Sequence, residues 1–246
     1  MANRRDLLLI VGLVLSGFAL LFLVIGFSTP NWLEQDTNYI TQSRFEKLGL
    51  WNACFKNYVH KAFPGKQFNG CWWIFSEEYS PIWSHINPPW FVGIQIMMTL
   101  TLIMEIMTVL IAILILIKCC PGKSVIGLFI LGGTAVVSGI LTAISVIIFG
   151  AKSVTDDQWM ESPEKNFVSW SFGCVVFSGF LILFAGVSLI VAALQAKLVN
   201  DYDSRHDYDS RHDYDRRHDY DRRHDYDRRH DYDRRPTYAA RHESRH

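Results

Sequence analysis

Charged side chains are almost absent from four long stretches of this chain, although charged residues make up 20% of its 246 amino acids. Glu105 is the one exception. Each stretch has the roughly 20 residues needed to cross a hydrocarbon core of about 30 Å, and a soluble domain with four such runs would lack a polar face. The sequence therefore predicts a membrane α-helical fold, a left-handed four-helix transmembrane bundle. The predicted spans are 7–27, 91–117, 125–149 and 172–194.

The usual marks of an enzyme are also missing. The chain has no nucleophile and base set with a supporting motif, no glycine-rich loop that would cradle a phosphate, and no compact cluster of metal ligands outside its C-terminal tail. We therefore predict that the protein is not an enzyme and that it uses no cofactor and no metal.

A small-x-small cleavage pattern is absent after the first apolar run, so we interpret it as a retained helix and not as a signal peptide. Positive charge then orients the bundle, because short loops rich in Lys and Arg stay in the cytoplasm. These flanking residues are Arg4, Arg5, Lys118, Lys123, Lys197 and Arg205. The predicted cytoplasmic segments, which include both termini, are 1–6, 118–124 and 195–246. The predicted extracellular loops are 28–90 and 150–171.

Cysteine is scarce, with five residues, and its placement agrees with this topology. Cys54 and Cys71 fall in the oxidising compartment, where we predict a disulfide between them. Closing a loop of that size stabilises a small lobe by about 3 kcal/mol. Cys119 and Cys120, at the cytoplasmic end of the second span, are candidates for palmitoylation, with two unmodified cysteines as the alternative. Cys174 is interpreted as a buried apolar residue.

The first extracellular loop is too long and too rich in tryptophan for a bare connection. Short runs at 38–41, 48–55 and 71–75 predict strands, and the pairs Pro64-Gly65 and Asn69-Gly70 predict turns. We therefore expect a small extracellular antiparallel β-sheet seated on the outer ends of the helices.

Within this loop the order Trp32, Gly49-Leu50-Trp51, Cys54 and Cys71 resembles the W…GLW…C…C signature of the claudin superfamily. This superfamily includes tight-junction and septate-junction claudins, nematode claudin-like proteins, the epithelial membrane and peripheral myelin proteins, and stargazin-like channel subunits. The resemblance covers about residues 1–200 and implies that the motif residues are mainly structural. Gly49 would permit a close approach of two backbone segments.

Two features depart from typical claudins. The two loop cysteines stand farther apart, so we predict an added hairpin arm at 56–69. The chain ends in Glu243-Ser244-Arg245-His246, without the hydrophobic residue that PDZ domains capture, so direct PDZ tethering is not expected.

Glu105 has no charged partner on another predicted span, which argues against a proton or ion relay. We expect a neutral or hydrogen-bonded carboxyl that faces Ser or Thr on neighbouring helices.

The tail repeats the hexad Asp-Tyr-Asp-(Ser/Arg)-Arg-His from Asp201 onward. A period of six produces no apolar helical stripe, so we predict disorder over 195–246. From Lys197 on, thirteen basic and thirteen acidic residues balance. This pattern suits weak multivalent contacts with cytoplasmic partners, and tyrosine phosphorylation would make the tail strongly negative. Metal binding by the tail histidines is the weaker interpretation.

The resemblance implies a claudin-like protein of the plasma membrane at cell–cell junctions, in contact with membrane lipid and binding itself or related claudin-like proteins in cis and trans. It would mediate adhesion and paracellular barrier or ion permeability. Candidate residues are Glu34, Asp36, Arg44, Lys56, Lys61 and Lys66 in the first loop, and Trp159 and Met160 in the second. The alternative is an auxiliary subunit of a channel or receptor, although the first loop lacks the Asn-x-Ser/Thr acceptor common in that branch. A membrane organiser that recruits partners through its tail is a third hypothesis.

Overall fold

A computed structural model describes residues 2–36, 44–117, 124–156, 159–160 and 165–233 of the chain. The chain divides into two units, Met1–Ala196 and Lys197–His246, which are described separately. The α-helices are α1 (Ala2–Ser28), a short α2 (Trp83–Ile86), α3 (Pro89–Leu116), α4 (Ser124–Thr155) and α5 (Trp170–Asp233).

Four of the described helices are long and apolar enough to cross a membrane, which confirms the four predicted spans. Their candidate membrane segments are Asp6–Ser28, Pro89–Leu116, Val125–Thr155 and Trp170–His206. The start of α3 follows from its sequence, because Pro89 occupies the first turn of the helix, where a missing N–H costs nothing. Pro88 precedes the helix in an extended conformation.

Five short strands form one antiparallel sheet in the order β4-β3-β2-β1-β5. The strands are β1 (Leu33–Gln35), β2 (Arg44–Leu48), β3 (Asn52–Val59), β4 (Gln67–Trp73) and β5 (Asn166–Val168). We call the sheet, together with a 3₁₀ helix at Glu77–Ile82 and α2, the sheet lobe. The predicted antiparallel sheet is therefore confirmed, and β5 adds to it a strand from the second loop.

Of the predicted strand at 48–55, Leu48 is the last residue of β2 and residues 52–55 are the first half of β3. The backbone N–H of Gly49 donates to the carbonyl of Asn52 at 2.8 Å, so the chain turns at 49–51 and divides β2 from β3. Sequence alternation alone did not reveal this turn, because Leu50 and Trp51 are as apolar as strand residues. The predicted strand at 38–41 lies outside the described residues.

The hairpin formed by β3 and β4 contains the predicted arm at 56–69. Its turn carries the predicted Pro64-Gly65 pair, between hydrogen bonds from the Phe63 and Lys66 backbone N–H groups. Asn69-Gly70, predicted as a second turn, instead lies inside β4. There the pairing shifts by one residue, a β-bulge at which Gly70 takes a φ of +88°.

The buried face of the sheet packs on the helices of the same unit in one hydrophobic core. Phe45 and Phe55 of the sheet lie in this core with Phe91 of α3 and Phe149 of α4. The lobe and the helix ends therefore share a single core instead of meeting as separate domains.

In the second unit the hexads up to Asp233 are helical, whereas disorder over 195–246 was predicted and stays a prediction. The spacing explains how a helix without an apolar stripe can form. Each hexad places a tyrosine four residues before a histidine, and the rings of Tyr202 and His206 meet edge-on at 4.3 Å. Asp201 likewise precedes Arg205 by four residues, the spacing at which opposite charges support a helix.

Candidate functional site

The motif residue Trp32 follows α1 and is fully buried. Its indole Nε1 donates to the carbonyl of Gly26 at 2.6 Å. The ring meets Phe149 of α4 and Phe172 of α5 edge-on, with centroids 5.0 and 5.7 Å away. Trp32 therefore joins the ends of three helices beneath the sheet.

Gly49 brings the sheet lobe into direct backbone contact with the end of α1. A Cβ at this position would clash with the carbonyl oxygen of Thr29 and lie 2.6 Å from Cα of Pro30, so no side chain fits. The neighbouring Leu50 carbonyl accepts a hydrogen bond from Nε2 of Gln95 on α3 at 2.8 Å. These contacts confirm the predicted close approach and hold the lobe against two helices.

Trp51 completes the motif between the two rings of Phe27 and Phe75, whose centroids are 5.4 and 6.4 Å away. Phe27 belongs to the last turn of α1, and Phe75 follows β4. The indole N–H of Trp51 is buried and has no hydrogen-bond partner among the described residues. This part of the motif therefore marks the boundary between lobe and membrane helices.

Cys54 and Cys71 lie directly opposite each other on β3 and β4 and form the predicted disulfide. Sequence reasoning missed Tyr79, which supports the same hairpin. Its hydroxyl donates to the Ala53 carbonyl at 2.8 Å and lies 3.1 Å from the Gly70 carbonyl, and burial raises the pKa of Tyr79 above its usual range. No sequence signal distinguishes this tyrosine from the others.

The predicted first-loop charges are dispersed over the lobe. Glu34 on β1 lies 3.7 Å from Lys47 on β2, its cross-strand neighbour. Lys66 lies 3.5 Å from Glu78 and over the ring of Phe68. Two residues that the sequence did not single out, Lys47 and Glu78, thus neutralise two of the predicted charges.

The remaining candidate charges divide into three groups. Lys56 and Lys61 are exposed and have no ion pair in the part of the chain that the structure describes. Asp36 is fixed through its backbone N–H, which donates to the Lys165 carbonyl at 2.8 Å. The side chain of Arg44 lies outside the described residues. The exposed unpaired charge of the hairpin arm is therefore positive.

Trp159 and Met160 were predicted as adhesion residues, which requires exposure, but the structure buries both. The Trp159 ring packs 4.6 Å from that of Trp90, and its indole N–H donates to the Ile86 carbonyl at 3.2 Å. Large apolar residues in a short loop cover the helix ends here. They are core residues, which corrects their assignment to an adhesive surface.

Glu105 on α3 is fully buried, and neither of its oxygens has a hydrogen-bond partner among the described residues. The Ser16 hydroxyl of α1 lies beside the carboxyl. Nearby on α3, Thr108 contacts Thr134 of α4 at 3.3 Å. The predicted serine neighbour on another helix is thus present beside the buried carboxyl.

The predicted palmitoylation sites Cys119 and Cys120 lie outside the described residues. Cys174 is a free, half-buried thiol in α5.

The fold and the motif define a class, a four-span membrane protein that carries a disulfide-bonded sheet lobe. A family model described as PMP-22/EMP/MP20/Claudin tight junction matches residues 17–191, well over half of the chain. The protein therefore belongs to the PMP-22/EMP/MP20/claudin family. A comparison with curated proteins yields no match. Membership in this family points to a non-enzymatic membrane protein of structural or junctional type.

Proposed function

We propose that this protein is a claudin-like cell-junction protein that mediates cell–cell adhesion and forms a paracellular barrier or ion path. In this proposal it lies in the plasma membrane at cell contacts, with the sheet lobe outside and both termini in the cytoplasm. It binds itself or related claudin-like proteins, laterally and across the contact.

One observation carries the proposal, the rigid attachment of the sheet lobe to the helix ends. Gly49 and the hydrogen bond from Gln95 to Leu50 fix one side of the sheet, and Trp32 fixes its base. A lobe held in this way presents the hairpin arm at a defined angle to the membrane. Defined orientation is what repeated contacts between neighbouring molecules require.

Aggregation of dissociated cells tests the proposal. Non-adherent cells that lack junctional claudins are transfected with the chain, tagged at its N-terminus, and surface delivery is measured by biotinylation of intact cells. We expect the tagged chain to be biotinylated and the cells to aggregate, while untransfected cells stay excluded from the clusters. Surface delivery without aggregation would contradict the proposal and favour the auxiliary-subunit alternative.

A further inference from the structure

The hexads place metal-ligating residues next to one another on the tail helix, the part of α5 from Lys197 to Asp233. His206 follows Asp203 by three residues, and Asp207 follows Asp203 by four. Residues at these spacings on a helix have Cβ atoms about 5–6 Å apart. On an unstructured chain the same groups would lie at variable distances, whereas the helix brings them to one side. We call Asp203, His206 and Asp207 the tail triad.

The carboxylate of Asp203 has no basic residue at helical spacing. Asp201 precedes Arg205 by four residues, which is the spacing of a helical ion pair. The residues three and four positions from Asp203 on either side are instead Val199, Asn200, His206 and Asp207. Asp203 is exposed, and it has no hydrogen bond or ion pair in the part of the chain that the structure describes. Its carboxylate is therefore available to a ligand.

The imidazole of His206 is packed against an aromatic ring. Tyr202, four residues earlier, meets it edge-on with the ring centroids 4.3 Å apart. Tyr208 and His212 repeat this contact at 4.5 Å in the next hexad. A ring that is already packed loses less conformational entropy when one of its nitrogens binds a ligand. The tyrosine of each pair therefore prepares the histidine for binding.

Two acidic members of the triad repel each other. Asp203 and Asp207 are four residues apart, and like charges at this spacing destabilise a helix. Arg211 stands four residues after Asp207 and can pair with it, which leaves Asp203 without compensation. A divalent cation bound between the two carboxylates would remove the repulsion and stabilise this turn of the helix.

The donor set distinguishes among cations. One imidazole nitrogen and two carboxylates suit Zn²⁺, which binds histidine nitrogen at about 2.0–2.1 Å and carboxylate oxygen at about 2.0–2.2 Å. Ca²⁺ and Mg²⁺ prefer oxygen ligands alone. An acidic residue three positions before a histidine is also a metal-binding arrangement on the helices of carboxylate-bridged bundles. The triad therefore favours a transition-metal cation over the alkaline-earth cations.

From the helical spacing, the uncompensated carboxylate and the packed imidazole, we propose that the tail helix binds Zn²⁺ through Asp203, His206 and Asp207. Water completes the coordination of the ion. The same triad spacing recurs around the histidines of the next four hexads, His212, His218, His224 and His230. This site is independent of the adhesive function proposed above.

Protection of His206 from diethyl pyrocarbonate tests the site in the purified full chain, without a histidine tag and after treatment with a chelator. The reagent modifies a free imidazole, and a bound metal slows the reaction. Trypsin releases the peptide 206–211, whose sequence occurs once in the chain, so mass spectrometry reads His206 separately from the other hexads. We expect Zn²⁺ to protect His206, and Ca²⁺ or Mg²⁺ at the same concentration to leave it reactive. Equal protection by Ca²⁺, or no protection by Zn²⁺, would overturn the proposal.

Two matched variants separate the triad from a general attraction of cations to an acidic segment. Asp203→Asn and Asp201→Asn each remove one carboxylate from the same hexad, but Asp201 lies on the opposite side of the helix from Asp203. We expect Asp203→Asn to raise the Zn²⁺ concentration for half-protection by about tenfold or more, and Asp201→Asn to leave it unchanged. Equal shifts in the two variants would overturn the proposal. Both positions are exposed, so neither change disturbs a buried contact.

The third ligand has its own test. Asp207→Asn should shift the half-protection of His206 in the same direction as Asp203→Asn. An unchanged Zn²⁺ concentration for half-protection in this variant would overturn the assignment of Asp207 to the site.

Discussion

At the residue scale, the sheet lobe can pack against the end of α1 because Gly49 has no side chain. The atoms that a Cβ would strike belong to the backbone at Thr29 and Pro30, so they cannot move aside as a flexible side chain could. We predict that Gly49→Ala lowers the free energy of unfolding by about 2 kcal/mol, measured as thermal unfolding in detergent. Gly65→Ala, in open space, is the control and should have no effect. Equal behaviour of the two variants would refute the close contact.

Glu105 is the opposite case, because removal of its polar group should stabilise the fold. Its two oxygens are buried and have no full hydrogen-bond partner among the residues that the structure describes, and such groups cost folding free energy. We predict that Glu105→Leu raises the free energy of unfolding by about 2 kcal/mol, while Glu105→Gln, which keeps a polar group in place, changes it little. A large loss of stability in Glu105→Leu would show that the carboxyl has a partner, and the account of this site would then be wrong.

The exposed lysines of the hairpin arm lead to a prediction about permeability. Lys56 and Lys61 are exposed without ion pairs in the described part of the chain, whereas Lys66 faces Glu78. If the lobe lines a paracellular path, the double variant Lys56→Glu, Lys61→Glu should raise the sodium-to-chloride permeability ratio of an epithelial monolayer severalfold, because fixed charge enriches counter-ions. Lys197→Glu, on the predicted cytoplasmic side, is the control. An unchanged permeability ratio in the double variant would show that the hairpin arm does not line an ion path.

At the scale of elements, two contacts dock the hairpin arm on the segment before α3. The rings of His60 and His85 lie 4.8 Å apart, and Lys66 lies 3.5 Å from Glu78. Burial lowers the pKa of His85 below its ordinary value of 6.5, and nearby His60 and Lys61 lower it further. His85 is therefore neutral when the hairpin arm is docked.

This docking should weaken in acid. Because the folded-state pKa of His85 is depressed, its contribution to stability is present above pH 6.5 and is lost as the pH falls through the lowered pKa. We predict that the melting temperature drops between about pH 7.5 and pH 5.5, and that His85→Gln reduces this drop. His206→Gln, on an exposed residue of the tail, should behave like the wild-type chain. A drop of the same size in His85→Gln would exclude His85 as its source.

Some of these elements could be predicted from the sequence and others could not. The spans were predictable because apolar runs are local: the predicted 7–27 compares with Asp6–Ser28. Strands β1 and β5 and most of β2 were not predicted. The first two have three residues each, and they form by pairing between segments far apart in the sequence, such as Leu33 with Val168. The burial of Trp159 was missed for a related reason, because nothing in its own loop reveals the rings of Trp90 and Phe91 that cover it.

At the scale of the whole molecule, the sheet and the helices share one hydrophobic core, and a second apolar cluster lies among the helices around Leu189. The motif predicted the family correctly, and its residues contact backbone or aromatic rings where the sheet lobe meets the helices. The pairing of surface charges could not be predicted from the sequence, and only the fold identifies Lys47 and Glu78 as the ion-pair partners of Glu34 and Lys66.

Accumulation at cell contacts is a direct test of the proposed junctional function. The tagged chain is expressed in cells without junctional claudins, and its intensity at each contact is divided by its intensity on free membrane. We expect a ratio well above one where both cells express the chain and a ratio near one where only one cell does, with Gly65→Ala matching the wild-type chain. Uniform surface intensity at every contact would contradict the proposed function.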